Sequence, residues 1–138
     1  MTFDNLNALF GYIERNIQNT LENEVSETVK DAVSQSVNTS VYAVYEPKYY
    51  IRRMDNGGLS DKNNYSVEPV QNGIVVRNDT PLDNGRMSPR LDEIVVLGLG
   101  NMPSPRDFYS EGERILQVTK AHVFALKQGL RDRGIEVE

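Results

Sequence analysis

The chain has 138 residues, with 20 acidic residues against 15 Lys and Arg, so its formal net charge at pH 7 is −5. This length fits one domain that buries a hydrophobic core of its own. The chain contains no cysteine and one histidine, which excludes disulfides, thiolate catalysis and a multi-histidine metal site within one subunit. The net acidity argues against a DNA-binding protein, because such proteins usually carry a strongly basic surface.

No apolar run approaches the roughly 20 residues that a membrane-spanning helix needs. The first residues, Met1-Thr-Phe-Asp-Asn5, lack the basic and apolar regions of a secretion signal. We therefore expect the chain to stay in the cytoplasm in which it is synthesised. Residues 1–138 contain no internal repeat, linker or low-complexity tract, which predicts a single domain.

Apolar residues recur every three or four positions from Phe3 to Val37, which predicts a long amphipathic first helix. Asp4 or Asn5 is suited to cap its start, and Asn38-Thr-Ser40 is the expected end. In the second half the spacing is four throughout, so the apolar stripe drifts by about 40° per step around the helix. We expect the helix either to curve over one partner or to contact different neighbours with its two halves.

The middle of the chain has the composition of turns and of a β-hairpin. Asp55-Asn-Gly-Gly58 predicts a turn. The alternating segments Tyr65–Glu68 and Ile74–Arg77 predict two strands, and Asn72-Gly73 between them suits the positive φ angles of a tight connection. The next apolar segment, Leu91–Leu97, fits either a third strand or a short helix. Its early Asp-Glu pair favours the helix, whereas its Ile-Val-Val run favours the strand, and we favour the strand.

A second long helix is predicted after an extended loop over Gly98–Pro103. Ser104 is suited to be its N-cap and Pro105 its first residue. The apolar positions from Phe108 to Leu130 lie near one face of a single helix, and Gly134 is placed to end it. The predicted fold is therefore α+β: two long helices packed on a small, mainly antiparallel β-sheet with long loops.

The sequence offers few candidates for chemistry. His122 has no nucleophile motif beside it, so we favour a packing or interface role over that of a general base. Gly98-Leu-Gly100 precedes a helix, but no Gly-Lys-Ser/Thr follows. We therefore favour a flexible loop, in which glycine lets the chain bend, over a phosphate-binding loop. We expect a protein without enzymatic activity, cofactor or metal.

Tyrosine and arginine are concentrated in one short stretch of the chain. Two interpretations fit this composition: aromatic and basic side chains can stack on bases and neutralise phosphates, and they are also enriched at protein–protein interfaces. We favour the protein interface because the chain is acidic overall and shows no RNA-binding signature. The residues are Tyr42, Tyr45, Tyr49, Tyr50, Arg52 and Arg53.

The order of these parts resembles the small tail-completion, or neck, proteins that form the head–tail connector of long-tailed bacteriophages. In that family an N-terminal helix leads through a loop to a small antiparallel sheet, and a proline and aromatic motif introduces a C-terminal helix. Here Pro103-Ser-Pro-Arg-Asp-Phe108 is similar to that motif, and Ile94-Val-Val-Leu-Gly98 is similar to a family strand that ends at a glycine. Arg52 and Leu59, within Tyr49–Asp61, occupy the place of the family's arginine and leucine pair.

The resemblance implies a non-enzymatic structural protein of the virion, in a tailed phage or a phage-derived tail particle. It implies a ring of six subunits at the head–tail junction or the top of the tail, with neighbouring connector and tail proteins as partners. A ring needs contacts between two different surfaces of identical subunits. We predict Tyr49, Tyr50, Arg52, Arg53 and Leu59 in one contact, and Met102, Pro103, Arg106 and Phe108 in the other.

The alternative is a soluble, non-enzymatic adaptor or regulatory module that binds a protein partner through its helices. Neither interpretation involves a membrane or sequence-specific binding of nucleic acid. Stable monomers or dimers at high concentration would favour the adaptor, and closed rings would favour the virion protein.

Overall fold

The computed structural model describes residues 2–44, 47, 52–100 and 104–138. Two strands pair antiparallel in its β-sheet, so the fold is α+β, as the sequence predicts. No helix in these ranges is long and apolar enough to cross a membrane. In chain order the elements are α1 (Leu6–Thr20), a π-helical segment (Leu21–Val25), α2 (Ser26–Val37), a second π-helical segment (Asn38–Tyr42), a 3₁₀ turn (Lys62–Asn64), β1 (Tyr65–Val70), β2 (Gly73–Asn78), α3 (Leu91–Leu97), α4 (Phe108–Thr119) and α5 (Ala121–Asp132).

The first helix begins as predicted, because the side chain of Asn5 accepts a hydrogen bond from the backbone N–H of Ala8 at 2.8 Å. It continues to Tyr42, past the predicted end at Asn38-Thr-Ser40. Each π-helical segment holds an extra residue in its turn, which rotates the following residues back by about 100°. The two segments flank α2, and Val25, Val33, Val37 and Val41 along this part of the helix are all buried.

The hydrophobic core lies where α2, α4, α3, β1 and the turn before β1 meet. Phe108, the first residue of α4, is fully buried there. Gly112 allows α4 to approach α2, since a Cβ at this glycine would lie 3.6 Å from Val33. The buried residues of this core are Val33, Val37, Val41, Leu59, Tyr65, Val95 and Phe108.

α1 and α5 pack against each other outside this core. A Cβ at Gly129 would lie 2.4 Å from the side chain of Thr20, and the hydroxyl of Tyr12 donates to the carbonyl of Arg133 at 3.2 Å. The two helices are therefore antiparallel. We call Leu6–Val25 together with α5 the arm, and we call α2, the β-hairpin, α3, α4 and the turns between them the body.

The predicted β-hairpin is confirmed, and its two strands are slightly longer than predicted. Val70 pairs with Gly73 in the antiparallel register, so the turn consists of Gln71 and Asn72, and Gly73 belongs to β2. Asn72 has a φ of 61°, a conformation that asparagine tolerates better than most residues do. The predicted turn at Asp55–Gly58 is also present.

The strand that we favoured over Leu91–Leu97 is wrong, because this segment is α3. A third strand would need a neighbour for its backbone groups, whereas a short helix satisfies them within itself. Gly98 ends the helix at a φ of 68°, and its N–H bonds to the carbonyl of Ile94. A Cβ at Gly98 would lie 2.5 Å from the backbone nitrogen of Pro105, so this close contact also requires glycine.

The single C-terminal helix that we predicted is in fact two helices. Asp107, not Ser104, is the N-cap of α4, and it accepts from the N–H of Ser110 at 3.1 Å. Lys120 separates α4 from α5 in the left-handed region, at φ 57° and ψ 22°. No glycine or proline marks this break in the sequence. α5 ends at Asp132, two residues before the predicted terminator Gly134.

We predict that Lys120→Gly stabilises the protein by about 1 kcal/mol, because the left-handed conformation is costly for a residue that carries a Cβ. Lys127→Gly is the matched control, and we expect it to destabilise the protein by roughly 0.5–1 kcal/mol, since Lys127 is helical within α5. Urea unfolding of both variants measures the difference. Destabilisation of similar size in both would show that Lys120 is not left-handed in solution.

Candidate functional site

The residues predicted for the subunit interface fall into three groups. Tyr49, Tyr50, Met102 and Pro103 lie outside the described residues. Arg52 and Arg53 are half-buried and remain partly accessible. Leu59, Arg106 and Phe108 are buried within the subunit.

Arg52 and Arg53 lie at the start of a loop, and their side chains attach this loop to the rest of the body. Nη1 of Arg52 donates to the carbonyl of Tyr42 at 2.9 Å, and its guanidinium carbon lies 4.9 Å from the centre of the Tyr42 ring. Nη2 of Arg53 donates to the carbonyl of Pro81 at 2.7 Å, and its Nε lies 3.3 Å from the carboxylate of Asp83. The two arginines therefore have structural contacts in addition to any contact with a neighbour.

Leu59 is part of the core, so its predicted place at the interface is corrected. Its carbonyl accepts from the hydroxyl of Tyr65 at 2.6 Å and from Nδ2 of Asn78 at 2.8 Å. Burial raises the pKa of Tyr65 far above its usual value, so the hydroxyl stays protonated and can donate. The turn before Leu59 is also close-packed, since a Cβ at Gly58 would lie 2.4 Å from the backbone nitrogen of Met54.

Arg106 and Phe108 are likewise corrected from interface residues to interior residues. The backbone N–H of Arg106 donates to the carbonyl of Val95 at 3.0 Å, which attaches the entry of α4 to α3. The ring of Phe108 lies 4.5 Å from that of Tyr109, centre to centre. Phe108 therefore packs the start of α4 onto its own subunit.

A cluster of buried polar groups joins the hairpin, α3 and α4, and we call it the Asp92 cluster. Asp92 is 5% exposed and accepts from Nε of Arg90 at 3.0 Å and from the hydroxyl of Tyr109 at 2.7 Å. Nη2 of Arg90 also donates to the carboxylate of Asp79 at 2.7 Å and to the carbonyl of Asn78 at 3.1 Å. The cluster thus connects the end of β2, the start of α3 and the start of α4.

The groups of the Asp92 cluster shift one another's pKa values. Hydrogen bonds to Asp92 and Asp79 raise the pKa of Arg90 further above its already high value. Burial, together with the bond to Asp92, raises the pKa of Tyr109 well above its usual value. Arg90 therefore remains charged and Tyr109 remains a donor, which a buried carboxylate requires.

Asn78 extends the cluster into the core. It is 1% exposed, and its backbone N–H donates to the hydroxyl of Tyr109 at 2.9 Å. Its Oδ1 accepts from the backbone N–H of Thr80 at 3.1 Å, and its Nδ2 reaches Leu59. Sequence reasoning missed this network, because Asn78-Asp-Thr80 has the composition of an exposed turn. One signal in the sequence pointed toward this network: the acidic start of Leu91–Leu97, which favours a helix there.

The accessible surface of the described residues includes two open grooves and several exposed apolar side chains. A groove of about 540 Å³ lies between arm and body, and its lining includes Glu22, Gln128 and Val67. A groove of about 690 Å³ lies beside the start of α4, and its lining includes Val44 and Pro105. Large apolar residues that are more than half exposed are Leu6, Phe10, Val44, Leu97, Val118 and Phe124.

The other candidates for chemistry have structural roles in the described residues. His122 lies half-buried in the first turn of α5, where its Nδ1 is enclosed without a hydrogen-bond partner in these ranges. Gly98 ends α3 and does not hold a phosphate loop. In the ranges that the structure describes, no group of three or more His, Cys, Asp or Glu side chains could hold a metal ion.

Comparison with known proteins gives one match. The model of the YomN family matches residues 5–132, a range that includes every helix and strand described above. No curated protein matches the chain, and no solved structure matches it.

We predict that Tyr109→Phe destabilises the protein by about 1–3 kcal/mol, because it leaves a buried carboxylate of Asp92 and the N–H of Asn78 each short of one partner. Tyr12→Phe is the matched control, since the same hydroxyl is lost from a half-buried site. The measurement is the free energy of unfolding in urea. Equal losses in the two variants would contradict a special role for the Asp92 cluster.

We predict that Phe108→Ala costs about 3–5 kcal/mol of folding stability, as expected for a large side chain removed from a core. Phe124→Ala is the control, because that ring is 66% exposed and should cost little. If Phe108→Ala instead left the unfolding free energy unchanged and abolished assembly, the interface role first predicted for Phe108 would be restored.

Proposed function

The chain belongs to the YomN family, which is phage-associated, and from this membership we propose that it is a structural protein of a tailed phage or a phage-derived tail particle. More specifically, we propose a neck or tail-completion subunit that forms a ring, six subunits in size, at the head–tail junction. It would act without enzymatic activity or cofactor. It would be synthesised in the host cytoplasm and end in the virion, beside connector and tail proteins.

The observation that carries the proposal is the family match over residues 5–132. The order of elements supports the finer assignment: a long first helix, a loop, a small antiparallel sheet and a closing helical region follow one another as in the neck proteins that the sequence resembles. The departure is α3, which stands where that family has a strand.

The distribution of exposed apolar residues also supports ring assembly. Leu6 and Phe10 are exposed at the start of the first helix. Val44 and Leu97 are exposed near its other end, after 37 residues that span about 55 Å of helix. A ring requires two different complementary surfaces on each subunit, and a subunit with uncovered apolar groups at both ends meets this requirement.

The interface prediction is narrower once the fold is known. Tyr49, Tyr50, Met102 and Pro103, which lie outside the described residues, stay predicted contacts, as do the accessible parts of Arg52 and Arg53. Charge reversal of the two arginines would also remove bonds within the subunit. The two tyrosines are therefore the better test of assembly.

The proposed function is tested by deleting the coding sequence from a phage that carries it and imaging the particles. We expect separate heads and tails to accumulate, and a supplied copy of the chain should join them. The purified chain, measured by mass photometry over a wide concentration range and by negative-stain microscopy, should form closed rings alone or with connector proteins. Normal infectious particles without the chain would overturn the proposal.

We predict that Tyr49→Ala combined with Tyr50→Ala abolishes ring formation and changes the free energy of unfolding by less than about 0.5 kcal/mol, because the predicted contacts of both side chains are intermolecular. Phe124→Ala is the control for loss of an exposed aromatic group outside the predicted interface. Sedimentation measures assembly and urea unfolding measures stability. Rings of normal size from the double variant would exclude both tyrosines from the contact.

A further inference from the structure

The arm contributes no residue to the main core cluster, and its own buried apolar residues are Val25 and Leu130. The buried members of this main cluster come from α2, the second π-helical segment, the turn before β1, β1, α3 and α4. Within the arm, α1 and α5 have contacts of their own. Arg133 donates to the carboxylate of Glu24 at 2.8 Å, which lowers the pKa of that carboxyl, and Gly129 packs on Thr20. Arm and body are therefore each held by internal contacts.

Both chain connections between the arm and the body have irregular backbone. The first is the π-helical segment Leu21–Val25, which meets α2 at Ser26. The second is Lys120, whose left-handed conformation interrupts the helical hydrogen bonds. There the N–H of Ala121 bonds to the hydroxyl of Thr119 at 3.3 Å instead of to a carbonyl one turn back. Kinks and π-bulges are the usual places where helices bend.

Part of the boundary between arm and body is an open groove of about 540 Å³, and elsewhere α5 contacts α2 and the Leu21–Val25 segment contacts β2. The arm side of the groove includes Glu22 and Gln128, and its body side includes Thr28 and Val67. Between arm and body, Nε2 of Gln18 also donates to the carbonyl of Gly73 at 3.2 Å, a long-range bond to the hairpin. A single amide bond of this length offers little resistance to movement.

We propose that the arm opens from and closes on the body as one unit, hinged where Val25 meets Ser26 and at Lys120. A few element-terminal residues commonly absorb the change in backbone angles when a hinge moves, and these two junctions are such positions. Closure narrows the groove and keeps the Gln18 bond, whereas opening breaks that bond and leaves the core intact. The inference concerns the free subunit and does not depend on the proposed function.

Distances between paired spin labels test the hinge directly. The natural chain has no cysteine, so introduced cysteines are the sole labelling points. Asn7→Cys with Asn63→Cys spans the hinge, Asn7→Cys with Arg131→Cys lies within the arm, and Asn63→Cys with Glu113→Cys lies within the body. All of these positions are exposed. We expect a broad or two-peaked distribution for the pair that spans the hinge and narrow distributions for the other two. Three equally narrow distributions would overturn the proposal.

Gln18→Ala provides a second test. Loss of its bond to Gly73 should raise the open population by about five-fold, the change that corresponds to one ordinary hydrogen bond. The control is Gln117→Ala, which removes an exposed side-chain bond within α4 and should leave the distribution unchanged. An unchanged distribution in Gln18→Ala would count against this bond as the latch of the hinge.

Hydrogen exchange on the unlabelled natural chain gives a result that does not depend on any variant. The amides of Leu21–Val25 should exchange faster than the central amides of α2 and α4, because hinge motion opens local hydrogen bonds. Equal protection of the amides in these three segments would overturn the proposed hinge.

Discussion

The buried carboxylate of Asp92 is the interaction on which the body depends. A carboxylate in a protein interior is costly unless it is paired and hydrogen-bonded, and here Arg90 and Tyr109 supply the pair and the bond. These groups come from separate parts of the chain, so the bonds form when the end of β2, α3 and the start of α4 are all in place. A two-stranded hairpin is marginal by itself, and the contacts of Asn78 attach it to the rest of the core.

Local patterns in the sequence predict the elements that local forces determine. The stripe from Phe3 to Val37, the cap at Asn5 and the alternating strands around Asn72 all have a short-range physical cause, and each is confirmed. α3 was missed because a β-branched run favours a strand locally, whereas the buried ion pair at its start depends on residues distant in sequence. The break at Lys120 was missed for a similar reason, since no residue there prefers a left-handed backbone.

The interface residues show a different limit of sequence reasoning. Tyrosine, arginine and phenylalanine are enriched at protein interfaces, and the same side chains also fill cores and anchor loops. Phe108 and Leu59 are core residues, and Arg53 anchors its loop on Pro81. Composition can therefore select the segments that matter, but it cannot decide which neighbour, intramolecular or intermolecular, each side chain contacts.

The separation of body and arm bears on how such a subunit can join an assembly. Because the core lies in the body, movement of the arm costs the bonds at its boundary and leaves the core contacts unchanged. A subunit built in this way can adjust its exposed apolar end, at Leu6 and Phe10, to a neighbour without losing its fold. Regions that move in function are generally those of low local stability. The proposed movement of the arm leaves the fold of the body unchanged, which agrees with the proposed role of the chain as a subunit between different partners.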